Sequence, residues 1–159
     1  MKKENVPGGE SDVTARVRDR RNVGRITCAE SAFTERETAQ HTADRVAEAH
    51  GLRGIGEAWL EISGHQAQTI ATFVLHRDLA SGEQIMALAE ATDLATAFLD
   101  LAPEPHRYFT NGEWDELLAT DGSQPDGVGF DPISDAAFDA GVICVGEGVA
   151  AILWVEDDE

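Results

Sequence analysis

Three observations predict an α+β fold for this chain. Residues 142–145 and 149–155 are two β-rich apolar runs around Gly146-Glu147-Gly148, the pattern of a hairpin whose strands are buried on both faces. Two stretches, starting at Thr34 and at Ser81, carry apolar residues at helical spacing behind capping-box pairs. Residues 57–62 alternate in the way of a strand with one buried face. The expected architecture is an antiparallel sheet of four or five strands with helices packed on it, a C-terminal β-hairpin and a flexible N-terminal tail. The expected boundaries are an Arg-containing tail over 1–33 and a single acidic domain over 34–159.

The tail is expected because Pro7-Gly8-Gly9 and the polar residues after it show no periodicity. The first helix pairs Thr34 with Glu37, repeats Ala39, Ala43, Val46 and Ala47, and stops at Gly51. Residues 57–62 give a strand, 63–65 a turn, and 68–76 a second strand because Ile70, Thr72, Phe73 and Val74 favour extended backbone. Ser81 and Gln84 open the longest helix, ending near Leu101 ahead of Pro103 and Pro105, with Asp93 restarting it after a break at Thr92. Tyr108-Phe109 forms a short strand. Asn111 caps a short helix with Trp114, Leu117 and Leu118. A loop spans 121–129, and a short helix near 131–138 carries Phe138.

The charge is unevenly placed. The net charge of the 159 residues is −18. Residues 1–50 hold nine basic and nine acidic side chains, whereas residues 51–159 hold three and 21. Beyond Arg107 no Lys or Arg occurs while 13 carboxylates follow. This balance argues against a nucleic-acid-binding domain, except through Arg16, Arg18, Arg20, Arg21 and Arg25 in the expected tail. No apolar run approaches the roughly 18 residues of a membrane span. Two cysteines, Cys28 and Cys144, make no disulfide framework. A cytoplasmic protein is the expectation.

Catalytic patterns are sparse. His76-Arg77-Asp78-Leu79-Ala80 resembles the catalytic loop of protein kinases over five residues. Glu83 stands where that motif needs Asn, and the Gly-rich loop and Asp-Phe-Gly are missing. The segment reads instead as a turn made by Asp78 and Ser81. The five histidines include no i, i+4 pair, and neither cysteine has a neighbouring partner. Cys144 lies in an apolar run, where a thiol is inert packing. No cofactor is expected.

Crowded carboxylates attract a cationic partner and steer it. The leading expectation is therefore a small binding or inhibitory protein that presents an anionic surface to a basic protein, either a toxin or a nucleic-acid-binding enzyme. In size and charge alone the chain resembles immunity proteins, antitoxins and nucleic-acid mimics. The expected contact residues are Trp114, Asp115, Glu116, Asp121, Asp126, Glu156, Asp157 and Asp158. An alternative is a metal-dependent hydrolase or nuclease using Asp121, Asp126, Asp131 and His106. A further alternative is a housekeeping domain of a salt-loving cell, although a general adaptation would acidify residues 1–50 as well.

Overall fold

The computed structural model describes residues 12–33, 38–104, 106–114 and 129–158. They form α1 (Asp12–Arg20), β1 (Arg25–Ala32), α2 (Ala39–Ala49), a 3-10 turn (Gly56–Ala58), β2 (Leu60–Ile62), α3 (Gly64–His76), α4 (Leu88–Leu99), β3 (Arg107–Thr110), β4 (Phe138–Val145) and β5 (Val149–Asp157). The fold is α+β, with all five strands in one antiparallel sheet of order β1-β5-β4-β3-β2.

Helices cover both faces of the sheet. On one side Val17 of α1 and the apolar residues of α3 and α4 meet Ala140, Val142, Ala151, Leu153 and Val155. On the other, Ala43, Val46 and Ala47 of α2 meet Ile143, Val145, Ala150, Ile152 and Trp154. Side chains alternate along a strand, so the central strands β4 and β5 must be apolar at nearly every position. That is why the C-terminal hairpin was readable in the sequence. Trp59 meets Trp154 edge to face, with ring centroids 5.9 Å apart.

The expected tail is corrected by the fold. All eight residues of β1 pair with β5, from Arg25 opposite Glu156 to Ala32 opposite Val149. Cys28 is buried within β1, and Val17 of α1 is fully buried. An edge strand needs little hydrophobicity of its own, because its ladder partner supplies the register and α1 covers one face. Residues 1–11 of the expected tail lie outside the described residues.

The expected second strand over 68–76 is helix α3. Ser63 accepts from the Gln66 amide (3.1 Å) while the Gln66 side chain accepts from the Ser63 amide (2.9 Å), a reciprocal cap. Behind it Ala67, Ile70, Ala71, Val74 and Leu75 all bury, at the i, i+3, i+4, i+7, i+8 spacing of one helix face. Burial of that stripe outweighs the β preference of Ile, Thr and Val, which is small. The similar Ser81–Gln84 pair does not open a helix. Residues 76–85 instead fold into a tight hairpin, with Asp78 N donating to Glu83 O and Ile85 N to His76 O. Helix α4 starts only at Leu88 and runs unbroken past Thr92 and Asp93, whose expected break is absent. Asp78 does make the expected turn, accepting from the amides of Ala80 and Ser81.

The first-helix cap expected at Thr34 and Glu37 falls outside the described residues, and Thr38 caps α2 instead. Phe138 opens β4 rather than sitting in a short helix. No described helix is long and apolar enough to cross a membrane.

Candidate functional site

The clearest recess among the described residues is an open cleft of about 650 Å³ beside α2. Gly24, Arg25, Glu156 and Asp158 come from the paired ends of β1 and β5, Ile133 to Ala136 from the loop before β4, and Gly51 and Arg53 from the chain after α2. Three carboxylates and two guanidiniums therefore share one concave surface.

Two buried polar networks frame it, one behind β5 on the far face of the sheet and one in the cleft wall. The first is centred on Asp157, buried with Arg21 at side-chain exposures of 1% and 0%. Arg21 meets both Asp157 oxygens at 2.8 Å and gives its remaining N–H groups to the carbonyls of Val74, Val23 and Arg77. All five guanidinium donors are thereby used. Asp157 also accepts from the Leu79 amide at 2.8 Å. Gly24 turns the chain tightly over this pair at φ +69°, where an added Cβ would lie 2.1 Å from Asp157 Oδ1. That turn starts β1 and fixes Arg25 opposite Glu156.

The second network is centred on Asp139, also fully buried. Its carboxylate accepts from Asn111 Nδ2 (2.9 Å), Trp154 Nε1 (3.1 Å), the amides of Ile133 and Ser134 (3.1 Å to the nearer oxygen in each case), and the Ser134 hydroxyl (2.8 Å). These bonds hold the 131–137 loop against the sheet. Arg53 closes the wall, its amide donating to Ile133 O at 2.9 Å and its guanidinium to Ser134 O at 2.9 Å and to Asp135.

Strand alternation then sorts the acidic end of the chain. Trp154 and Glu156 share one face of β5, Asp158 just past its end lines the same cleft, and Asp157 takes the other face. In register, Arg25, Glu156 and Asp139 form a row across three strands on the cleft side. Glu156 retains 12% side-chain exposure and meets Arg25 Nε at 3.8 Å. Burial, first, and repulsion from Asp139 and Asp158 raise its pKa above the ordinary glutamate value, against the opposing pull of Arg25 and Ser134. Asp158 is exposed and accepts from the Ala137 amide at 2.7 Å.

The structure brings together Glu156 and Asp158 of the expected contact residues. It removes two others. Trp114 is no surface anchor: it is 1% exposed, its Nε1 donates to Asn111 Oδ1 at 2.9 Å, and its ring lies 5.1 Å from that of Phe130. Asn111 correspondingly braces buried polar groups. Asp157 is sealed by Arg21. Asp115, Glu116, Asp121 and Asp126 lie outside the described residues. Arg53, Ser134 and Asp135 are absent from the expected contact residues and are brought beside Glu156 only by folding.

The expected arginine cluster is dispersed among protein partners. Arg20 pairs with Glu90, Arg18 donates to Cys28 O at 3.1 Å, Arg21 is buried, and Arg25 faces Glu156. A buried Arg21 cannot grip a phosphate. Of the alternative metal set, His106 directs one ring nitrogen to Tyr108 Oη at 2.8 Å and the other to the Ala102 carbonyl, and Asp131 is exposed. No group of three potential ligands that could hold a metal ion occurs among the described residues. Cys28 and Cys144 are both buried, and burial pushes each thiol up to about 12, so neither is a ready nucleophile.

No protein-family model matches this chain, and comparison with curated proteins and with solved structures gives no match either. The functional reading therefore rests on these residues.

Proposed function

We propose that this protein binds a basic protein partner by receiving one of its cationic side chains in the cleft between β1, β5 and the 131–137 loop. The observation that supports this reading is the concave clustering of Glu156, Asp158 and Asp135 on a rigid buried frame, within a chain of net charge −18. A partner cation entering there would relieve repulsion that Arg25 and Arg53 offset only in part. The long-range field of the acidic molecule would steer a basic partner inward, over roughly 8 Å at physiological salt. The partner class is that of a toxin or nucleic-acid-binding enzyme, and binding would act by occlusion. Two reduced, buried cysteines suit a cytoplasmic setting.

The test is fluorescence anisotropy with a labelled hexa-arginine peptide across a salt series. Glu156→Gln with Asp158→Asn should weaken binding about tenfold, the scale of losing charge contacts at an interface. Asp93→Asn with Asp100→Asn changes net charge equally but on α4 and at its C-cap, in the opposite layer, and should have little effect. Equal loss in both double variants would show diffuse attraction to net charge, and the site would be abandoned.

A further inference from the structure

We infer that Arg25 is a tethered competitor within this cleft, holding beside Glu156 the place that a partner's arginine takes on binding. The inference rests on the reading above and adds a residue that regulates it. Five arginine–carboxylate pairs occur among the described residues, and four of them close to 2.8 Å or less. Arg25 and Glu156 stand apart at 3.8 Å, beyond hydrogen-bond distance, so their attraction is Coulombic only. Their burial is also mismatched. The Arg25 side chain is 76% exposed while that of Glu156 is 12% exposed. A hydrated guanidinium thus hangs over a largely dehydrated carboxylate without completing the two-pronged contact this chemistry favours.

The arrangement is set by the backbone. Arg25 is directly opposite Glu156 in the β1–β5 ladder, and Gly24 with the Arg21–Asp157 pair fixes where that ladder begins. The guanidinium cannot leave the vicinity, yet its flexible stem lets it swing into solvent. An incoming arginine with both prongs free can bond Glu156 directly and displace it. Arg53 stays in place, because it is anchored to Ser134 O as well as to Asp135. Exchange of one guanidinium for another also favours arginine over lysine, since an ammonium cannot make the two-pronged contact.

The experiment compares Arg25→Ala with Arg16→Ala in the same hexa-arginine titration. Arg16 is exposed on α1, on the other side of the sheet, so both variants lose one positive charge and only one alters the cleft. Arg25→Ala should bind roughly three- to fivefold tighter than Arg16→Ala, the range for removing an exposed competing ion pair. It should also gain more for hexa-arginine than for hexa-lysine. Equal affinities of the two variants overturn the inference, and the Glu156/Asp158 variants then decide separately whether the cleft reading survives. Binding by Arg25→Ala alone, with none by the wild type, supports the inference in its strongest form. Absence of binding in every variant removes both ideas. Titration with inorganic phosphate closes the remaining route: phosphate binding lost in Arg25→Ala would make Arg25 an anion ligand and overturn the inference.

Discussion

Asp157 and Glu156 are adjacent in the chain and lie on opposite sides of β5. Toward α1 and α3, Asp157 is dehydrated and every polar group around it is satisfied. Toward α2, Glu156 keeps a small exposed edge beside a loosely held arginine, with buried Asp139 as its neighbour on β4. The first arrangement is closed: nothing can be added, and removing a member leaves a buried charge unpaired. The second is open, because its negative charge is only partly offset and its mouth faces solvent. An acidic terminal run is therefore not one surface. The period of a strand divides it into a structural half and a half free to bind.

The largest effect should come from breaking the closed side. Arg21→Ala leaves Asp157 buried without its partner and should cost about 3–5 kcal/mol in urea unfolding. Glu156→Gln should cost little by the same measurement. Comparable losses in the two variants would erase the distinction drawn between the two sides.

Glycine substitutions sharpen the comparison at a smaller scale. Gly51 at φ +81° has open space where a Cβ would go, so Gly51→Ala carries only the left-handed backbone penalty of roughly 1–2 kcal/mol. Gly24→Ala adds contacts with Asp157 Oδ1 and the Glu156 carbonyl. It should be clearly the more destabilising of the two by thermal unfolding, and it should also displace Arg25 from the cleft.

The smallest effect is a pH dependence on the open side. Folding raises the Glu156 pKa, so the folded state holds this proton more tightly than the unfolded one. Ionisation of Glu156 therefore opposes folding: its contribution is most favourable below the unfolded value of about 4.5 and is lost as pH rises through the raised folded value. Glu156→Gln should remove that slope. Its stability relative to wild type should rise between mildly acidic and neutral pH, as read by urea midpoints across a pH series. A relative stability that falls over this range would reverse the assigned sign.

Several elements could be read directly from residues because their cause is local or periodic. The hairpin of β4 and β5 shows in two apolar runs, since a strand covered on both faces has no polar side to hide its pattern. Asp78 makes a turn wherever it stands, because its carboxylate reaches the amides two and three residues ahead. Helix α3 is the counter-example: Ser63, Gln66 and the stripe of Ala67, Ile70, Ala71, Val74 and Leu75 carry its period, yet the segment reads as a strand. The β-branched residues between them obscured that periodicity.

The cleft was less legible. Glu156 and Asp158 could be singled out by charge, but Arg53 reaches Ser134 and Asp135 only through bonds spanning 81 and 82 residues of chain, and all three line the cleft with Glu156 and Asp158 only in the fold. Trp114 misled for the same reason, because a tryptophan's burial depends on what folds over it.

The fold class, the apolar centre of the sheet and the excess of negative charge follow from composition and short-range periodicity alone. Tertiary structure alone decided that residues 12–32 belong to the fold, that Asp139 and Asp157 are internal, and that Glu156 and Asp158 face the cleft. The physical reason is that burial and ion pairing depend on which strand lies beside which, and a strand's partner is chosen by contacts made across the whole chain.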